Sequence, residues 1–467
     1  MSAHHDARRD RLTAEVGGAI LLLGNGVRDR NLPGYGVRFR QDSTFLYYTG
    51  CTIPGAAVLL HDGCFTLYLQ AAADDDVLWH GPGASPAEIG ARLGATKVLC
   101  SRELPASIRT LQDRQVEVHT VAVADAARNA AASGWLGTVL VFGSHNGSEA
   151  LIDAIIRHRR AKSALEIEEM RRAAAASCDA HRAIVACTRE GIAEADLAAL
   201  FTGVLGAHGC VPGYDTILSQ DGDILHNHAH TNTLTAGRMV LCDGGGEVAT
   251  GYGVDITRTW PVSGTFTARQ AAAYDAVLRA QLASIELCRP GVRYRAVHDA
   301  ACMVLAEFLV DEGLLRGSAE DVVATGAHAL FFPHGVGHHL GLDVHDMENF
   351  GDRPSYPTGS GRPQGFGTRY LRLDLPLEED WVVTVEPGFY VVDAILDDAA
   401  LTVPHRDMMA HDRIAKWRGF GGIRIEDDVH VTSCGPSVLT SETPKTPAEI
   451  QALVGSRPPP RAFLTGF

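Results

Sequence analysis

The sequence lacks any uninterrupted apolar run of about 18 residues, the length that a membrane-spanning helix requires. Residues 1–9 lack the apolar segment of a secretory signal peptide. No run of lysine and arginine is long enough to indicate nucleic-acid binding, and the net charge is −15. We therefore expect a cytoplasmic protein that binds neither a membrane nor a nucleic acid.

Paired cysteine motifs are also missing, because no two of the 10 cysteines have C-x-x-C spacing. A chain of 467 residues buries enough apolar surface to fold without disulfide bonds. The cysteines are therefore expected to be reduced, in agreement with a cytoplasmic location. Apolar residues make up 46% and charged residues 21% of the chain, as in ordinary globular enzymes, and the length predicts two domains.

Residues 1–158 are predicted to form an α/β domain. Short apolar segments, separated by glycine and aspartate turns, predict its strands. These segments are residues 17–24, 45–50, 56–60, 65–69, 97–100, 116–119 and 138–142. A helix is predicted over residues 86–93. This alternation of helices and strands is typical of α/β domains.

Residues 159–467 predict a second domain, of the α+β class. Ser163 and Glu166 form a capping box at the start of a helix that extends to about residue 189. The other predicted helices cover residues 194–208, 268–288 and 294–312, and the predicted strands cover residues 214–219, 239–243, 254–260, 382–386 and 423–431. Residues 349–369 are rich in glycine and proline and predict a long loop.

Four histidines and two aspartates lie within residues 334–346, where glycines separate many of the polar side chains. Imidazoles at this density are typical of a metal site or a proton-transfer site, although a histidine-rich surface loop is the alternative. Leu340, Leu342 and Val344 alternate with other residues and predict a short strand within this segment.

Carboxylates occur on several apolar strands of the second domain. Asp243 ends one strand and Asp255 begins the next, 12 residues later, so an antiparallel hairpin would bring them together. Glu386 ends a third strand, and Glu426 shares a strand face with Arg424. Neighbouring carboxylates repel each other unless a cation lies between them. Four such acids near a histidine cluster therefore favour a metal site over structural ion pairs.

Charge balance predicts the number and the kind of metal ions. Four carboxylates carry four negative charges, which two divalent cations neutralise, and only one or two histidines would join them. A ligand set dominated by oxygen favours Mn²⁺, Co²⁺ or Fe²⁺ over a structural zinc site built on sulfur. Two such ions can activate water and polarise a carbonyl, which indicates hydrolysis. The glycine-rich residues 244–246 do not form a phosphate loop, because no Lys-Ser or Lys-Thr follows them.

In this order, the motifs resemble the signature of the pita-bread metallopeptidases. They most resemble the proline-specific branch, which comprises prolidase (Xaa-Pro dipeptidase) and aminopeptidase P. The motifs are Asp243, Asp255-Ile-Thr-Arg-Thr, His334-Gly-Val-Gly-His338, Leu-Asp-Val-His345-Asp, Thr-Val-Glu386-Pro-Gly and Arg424-Ile-Glu426-Asp-Asp. Residues 38–50 resemble the N-terminal domain of that branch. The resemblance implies a C-terminal pita-bread domain, a creatinase-like N-terminal domain and two divalent ions, chiefly Mn²⁺, with Co²⁺ or Zn²⁺ as alternatives.

The resemblance also implies the metal ligands, which are Asp243, Asp255, His338, Glu386 and Glu426. Asp255 and Glu426 would bridge the two ions, and Glu386 would also act as the general base. The interval between Asp243 and Asp255 is one residue longer than the interval usual in the family. A bulge or a longer turn could absorb the extra residue.

Further residues match positions around the metal ligands of the family. His226 and His345 would contact substrate or stabilise the tetrahedral intermediate, and His334 would line the pocket. Arg424 and Tyr390 would orient the carboxylates, with Tyr390 also bordering the bound substrate.

The segment before Glu386 bears on the choice between the two activities. Prolidases hold the free carboxylate of a dipeptide with an arginine in this region, where Arg372 aligns best and Arg369 lies nearby. Both arginines could instead be exposed loop residues. We favour an Xaa-Pro dipeptidase, with aminopeptidase P acting on longer Xaa-Pro peptides as the alternative. A catalytically inactive pita-bread binding protein is the alternative of another class.

Trp79 resembles a tryptophan loop that enters the partner subunit's pocket in prolidase-like dimers. The alternative is an ordinary core tryptophan. The resemblance therefore implies a homodimer.

Overall fold

The structure is a computed structural model that describes residues 2–32, 34–71 and 76–463. The chain divides into two compact units. The N-terminal unit comprises residues 1–159 and 347–354, and the C-terminal unit comprises residues 160–346 and 355–467. The sequence prediction contained no later segment that belongs to the N-terminal unit. In the described ranges, no helix is both long and apolar enough to cross a membrane.

A five-stranded mixed sheet with strand order β4-β3-β2-β1-β5 forms the centre of the N-terminal unit. The strands are β1 Ala19–Leu23, β2 Ala57–His61, β3 Cys64–Leu69, β4 Lys97–Cys100 and β5 Val118–Thr120. The β1–β5 and β3–β4 pairs are parallel, and the other two are antiparallel. The helices up to the boundary are α1 Ser2–Val16, α2 Ser43–Thr49, α3 Asp76–His80, α4 Pro86–Leu93, α5 Leu104–Asp113, α6 Ala126–Leu136 and α7 Glu149–Arg160.

Two predicted strands of the N-terminal unit are wrong. Residues 45–50 belong to α2, which the side chain of Asp42 caps at its start and Gly50 ends with φ +61°. Every residue of α2 is buried, and a short apolar run that is buried on all sides carries no period that separates a strand from a helix. Residues 138–142 form only an isolated bridge between Val141 and His145. Their apolar side chains are exposed except for Leu140, which is buried.

Long helices cover the predicted segments of the C-terminal unit. The helices are α8 Ala164–Cys187, α9 Glu194–Ala207, α10 Ala268–Glu286, α11 Tyr294–Asp311, α12 Ala319–Ala324, α13 Asp393–Leu396, α14 Ala399–Thr402, α15 His411–Ile414 and α16 Pro447–Leu453. The predicted capping box starts α8, where the backbone N–H of Ser163 donates to Glu166 at 2.9 Å. The predicted starts of α9, α10 and α11 are correct, and their ends lie within two residues of the prediction.

The strands of the C-terminal unit form four small antiparallel sheets. In chain order they are β6 Val211–Pro212, β7 Ile217–Ser219, β8 Met239–Asp243, β9 Gly246–Glu247, β10 Thr257–Pro261, β11 Val382–Val385, β12 Gly388–Tyr390, β13 Gly422–Arg424, β14 Asp427–Thr432 and β15 Gly435–Val438. The sheet orders are β10-β8-β7, β11-β14-β15, β12-β13 and β6-β9. The predicted strand 423–431 is therefore two strands, with Glu426 between them.

The predicted strand across residues 340–344 is also wrong. Only an isolated bridge between His339 and Val383 forms there. The following turn is wound around buried Asp346, whose carboxylate accepts hydrogen bonds from the backbone N–H of Asp343 and from Lys162. A side chain on Gly341 would meet that carboxylate at 2.5 Å. The loop predicted over residues 349–369 has no helix or strand beyond the 3₁₀ turn Glu348–Phe350.

Candidate metal centre

The hairpin of β8 and β10 brings the two predicted aspartates together. Asp243 pairs with Thr257, and Asp255 lies two residues before Thr257 on the same strand face. The register continues without a bulge, because Gly244 N–H donates to the carbonyl of Ile256 and Val248 N–H donates to that of Tyr252. The extra residue of this interval therefore lies in the terminal turn, and it does not displace either aspartate.

Tyr214 holds the two carboxylates close to each other. Its hydroxyl lies 2.5 Å from Oδ1 of Asp243 and also contacts Oδ1 of Asp255. Burial raises the pKa of Tyr214 well above its usual value, and the charges of the two aspartates add to the effect. Tyr214 could not be identified from the sequence, because a single tyrosine ahead of β7 carries no pattern that indicates a role.

Two other strand ends supply the glutamates. Glu386 directly follows β11, and its backbone N–H donates to the carbonyl of Val336 at 2.8 Å. Glu426 lies between β13 and β14, and its backbone N–H donates to the carbonyl of Thr257 at 3.0 Å. The hydroxyl of Thr257 donates to Oε2 of Glu426 at 2.7 Å. Thr257 is a second functional residue that the sequence analysis did not assign.

The imidazole of His338 is oriented by backbone groups. Its backbone N–H donates to the Thr384 hydroxyl at 3.1 Å, and its Nδ1 donates to the carbonyl of His339 at 2.9 Å. The lone pair of Nε2 then faces the carboxylates of Asp255 at 3.5 Å and Glu386 at 3.7 Å. A histidine held in this way is prepared to bind a cation through Nε2.

The five predicted ligands therefore meet in one place. Within each of three overlapping groups, one potential ligand atom per residue lies within 4.8 Å of the others. The groups are Asp243, Asp255 and Glu426; His338, Glu386 and Glu426; and Asp255, His338 and His345. Asp255, His338 and Glu426 each belong to two groups, so two neighbouring ions could share ligands in this cluster.

Electrostatics shows that this carboxylate cluster fits divalent cations. Burial raises the pKa of Glu386 to about 8, and the charge of Asp255 contributes. Burial and repulsion between the carboxylates also raise the pKa values of Asp243 and Glu426. Oε1 of Glu426 is buried without a hydrogen-bond partner among the described residues. Cations would neutralise these acids and satisfy that oxygen.

Arg424 connects the cluster to the predicted pocket. Its Nη2 forms an ion pair with Asp243 at 2.5 Å, and its Nη1 donates to the Tyr390 hydroxyl at 3.0 Å. Nδ1 of His334 donates to the carbonyl of Gly335, so its Nε2 accepts a hydrogen bond from Tyr390 at 2.9 Å. Burial and the charge of Arg424 lower the pKa of His334 to about 3. His334 is therefore neutral at physiological pH.

The other predicted residues lie at different distances from the cluster. The exposed ring of His345 packs on His338, with ring centroids 4.2 Å apart. The exposed His226 lies near enough to Arg424 and Asp243 that their charges act on it, although burial is the largest cause of its lowered pKa. Arg372 is half-buried, and its charge acts to lower the pKa values of both Glu386 and His334, which opposes the effect of burial at Glu386.

Trp79 belongs to the N-terminal unit and is not a core residue. It lies on α3 and is 72% exposed. The alternative of an ordinary core tryptophan is therefore excluded.

The fold and the site together define a metallopeptidase. The model of metallopeptidase family M24 matches residues 168–433, and the model of the aminopeptidase P N-terminal domain matches residues 5–119. The chain therefore belongs to metallopeptidase family M24. This result confirms the predicted resemblance and the predicted fold class.

Individual relatives are similar over nearly the whole chain. Human Xaa-Pro dipeptidase is 32% identical over 454 residues, which cover 95% of this chain and 90% of the relative. A probable Xaa-Pro aminopeptidase of Verticillium alfalfae is 32% identical, and the match covers 96% of this chain and 95% of the relative. The structure of Pseudomonas aeruginosa aminopeptidase PepP has a TM-score of 0.81 and 29% identity, with 98% of each chain covered. The structure of Zn-substituted aminopeptidase P of E. coli has a TM-score of 0.80 and 27% identity. The match covers 98% of this chain and 99% of that chain.

Proposed function

We propose that this proline-specific metallopeptidase acts as an Xaa-Pro dipeptidase, which hydrolyses the peptide bond before proline in dipeptides. Relatives named Xaa-Pro dipeptidase and Xaa-Pro aminopeptidase support proline specificity. The observation that carries the choice of a dipeptidase is the half-buried Arg372, whose charge acts on Glu386 and His334. A cation at this position suits the free carboxylate of a dipeptide.

The donor set supports Mn²⁺ as the physiological metal. It contains four carboxylates and one imidazole and no sulfur, which favours Mn²⁺ or Co²⁺ and also permits Zn²⁺. Two divalent ions bound by Asp243, Asp255, His338, Glu386 and Glu426 would supply activated water and polarise the scissile carbonyl.

The chain's own residues would move the protons and orient the substrate. We infer that Glu386 accepts the proton of the attacking water, because it lies within the ligand cluster and bound cations would keep its carboxylate ionised. Asp255 and Glu426 would be the shared ligands, because a carboxylate offers two oxygens, whereas His338 offers only Nε2. Arg424 holds Asp243 in place, and it also fixes Tyr390.

Three histidines would assist the reaction. His345 lies against His338 and is exposed to entering substrate, which supports a role in contacting the substrate or the developing tetrahedral oxygen. We assign a similar role to the exposed His226. The neutral His334 would form a pocket wall, with the Tyr390 hydroxyl fixed between it and Arg424.

A second candidate function is an Xaa-Pro aminopeptidase, which removes the first residue from longer peptides. The N-terminal match to an aminopeptidase P domain and the similarity to aminopeptidase P structures favour it. An inactive binding protein is disfavoured, because the five predicted ligands meet in one cluster.

Substrate length tests the proposal. We expect kcat/KM for an Xaa-Pro dipeptide to exceed that for the corresponding Xaa-Pro-Yaa tripeptide. Arg372→Ala should lower dipeptide cleavage roughly ten- to a hundredfold, because a charged hydrogen bond of about 1.5–3 kcal/mol is lost. The tripeptide, whose carboxylate lies elsewhere, should be affected much less. A strong preference for the tripeptide would overturn the dipeptidase assignment.

Arg369→Ala is the matched control for Arg372→Ala. Arg369 lies three residues away and stacks on Tyr370, at 5.0 Å from the ring centroid. Arg369→Ala should leave the cleavage of both substrates unchanged. If kcat/KM fell equally in the two variants, or equally for the two substrates in Arg372→Ala, Arg372 would not bind the carboxylate.

We also propose that the protein is a homodimer in a reducing compartment such as the cytoplasm. Val77, Leu78 and Trp79 are consecutive and 62–76% exposed, which supports burial of this segment against a second copy. All 10 cysteines are free, which supports the reducing location. Light scattering of the wild type and Trp79→Ala should show a dimer that the substitution weakens.

A further inference from the structure

A second cluster of metal-binding side chains lies apart from the carboxylates. His298, Cys302 and His328 each offer one ligand atom, and these atoms lie within 4.8 Å of one another. The three residues are 2%, 1% and 8% exposed. We propose that they form a site for a thiophilic divalent ion such as Zn²⁺, distinct from the catalytic metal centre and independent of the substrate that the enzyme cleaves.

Local structure explains how the three side chains meet. His298 and Cys302 are four residues apart on α11, so they share one face of the helix. His328 lies in the 3₁₀ turn Ala327–Leu330, and two residues separate this turn from the end of α12. A helical pair at this spacing with a third ligand from a separate turn is a common way to build a zinc site.

The observed distance between sulfur and nitrogen fits a metal ion. Sγ of Cys302 lies 3.4 Å from Nε2 of His298. Two such ligands at ordinary zinc bond lengths and a tetrahedral angle would be about 3.6 Å apart. The pair is therefore already near the spacing that zinc requires, and a small adjustment would accommodate the ion.

A histidine beside this cluster has a ring nitrogen without a hydrogen-bond partner in the part of the chain that the structure describes. It is the buried Nδ1 of the half-buried His405. Burial is the main cause of the lowered pKa of His328, and the charge of His405 contributes, so His405 lies nearby. His405 also follows the exposed Val403. It is therefore a candidate fourth ligand at the solvent side of the site.

The ligand chemistry separates this site from the catalytic centre. Thiolate and imidazole favour Zn²⁺, Cd²⁺ or Co²⁺, whereas Mn²⁺ prefers oxygen. Burial raises the pKa of the Cys302 thiol, so the metal-free site holds a neutral S–H group. Binding breaks this S–H bond, forms a metal–sulfur bond and releases one proton to solvent.

The cluster is also near the catalytic pocket. The ring of Phe332 lies 5.6 Å from that of His298 and 4.8 Å from that of His334, measured between centroids. One aromatic ring thus separates a thiophilic site from a pocket histidine. An ion bound there would fix the position of His298 behind the pocket.

The test uses the full-length protein with Cys64→Ser and Cys434→Ser, which remove the two exposed thiols, saturated with Mn²⁺ and titrated with Co²⁺ or Cd²⁺ alone. We expect a sulfur-to-metal charge-transfer band in the ultraviolet, because neither the catalytic ligand set nor the exposed surface then offers sulfur. Binding should release a proton, which a pH indicator in weak buffer detects. A wild-type protein without this band would overturn the proposal, whatever the peptidase assay shows.

Matched variants assign the band to the cluster. Cys302→Ser should abolish it, whereas Cys288→Ser, at a fully buried cysteine that hydrogen-bonds Ser284, should retain it. His405 is only half-buried, so the protein should still fold when it is replaced. His405→Ala should weaken Zn²⁺ binding at least about tenfold. A band that persists in Cys302→Ser would also overturn the proposal. Because the reporter is spectroscopic, its outcome is distinguishable from failure of the proposed dipeptidase activity.

Discussion

Tyr214 illustrates how a residue outside the predicted ligand set can determine the geometry of that set. Its hydroxyl contacts both Asp243, the last residue of β8, and Asp255, which lies just before β10. Side chains of this kind orient metal ligands and limit the repulsion between them. The position of the aspartates therefore depends on a single hydroxyl as well as on the hairpin.

Replacing Tyr214 with phenylalanine should reduce metal affinity by roughly 10- to 100-fold, because both carboxylates lose a shared donor. Isothermal titration with Mn²⁺ measures this change. Tyr274→Phe is the control, since its buried hydroxyl donates to the carbonyl of Lys445 and touches no predicted ligand. It should reduce stability by about 1 kcal/mol and leave metal affinity unchanged. Equal affinity losses in both variants would contradict the role of Tyr214.

At the scale of elements, the hairpin of β8 and β10 needs a residue without a side chain opposite Asp255. A Cβ atom on Gly245 would lie 1.8 Å from the carbonyl oxygen of Val254 and 3.3 Å from the backbone nitrogen of Asp255. Both contacts involve backbone, which cannot move without shifting the strand. The glycine-rich sequence between the aspartates is therefore a packing requirement of the metal centre.

Gly245→Ala should therefore destabilise the protein by about 1–3 kcal/mol, because the added methyl group forces the strands apart. It should also weaken Mn²⁺ binding, since Asp255 moves with the strand. Urea unfolding and metal titration measure the two effects. Gly203→Ala is the control, because no atom lies within 4 Å of its added Cβ and it sits inside α9. It should stabilise the protein by about 0.5–1 kcal/mol.

Elements with a strong local signal could be predicted from the sequence, whereas tertiary packing determined the others. The capping box at Ser163 and the helical starts after it were correct. Residues 45–50 and 340–344 were predicted as strands, but burial on all sides and the turn around Asp346 gave a helix and a loop instead. The predicted strand at 138–142 failed for another reason. It forms only the bridge at Val141, and of its apolar side chains only Leu140 is buried.

The candidate site was more predictable than some of the strands around it. Carboxylates at the ends of apolar strands are costly without cations, so the sequence pattern itself indicated metal. Tyr214, Thr257 and the cluster around Cys302 could not be predicted in this way. Tyr214, Thr257 and His328 have partners that are distant in sequence, and a single polar residue carries no periodicity. Only the folded arrangement identifies them.

At the scale of the whole molecule, the metal centre links stability to pH. In the metal-free protein, burial raises the pKa of Glu386 from 4.5 to about 8. Between these values the folded protein holds a proton on Glu386 that the unfolded chain has released. Folding stability therefore falls as pH rises through this range, by up to about 1.4 kcal/mol per pH unit for this one group.

Between pH 7 and 8, the buried carboxylates of the cluster, Glu386 among them, are not opposed by the buried histidines. Buried histidines such as His334, whose pKa values lie below the usual value, act in the opposite direction, but only below about pH 6.5. The Tm of the metal-free protein should fall between pH 7 and 8, and Glu386→Gln should flatten the slope. Saturating Mn²⁺ should remove the decline, because bound cations hold the carboxylates ionised in the folded state. Calorimetric scans with and without Mn²⁺ measure these slopes. A metal-free Tm that is constant or rises in the wild type would contradict the link between carboxylate burial and metal binding.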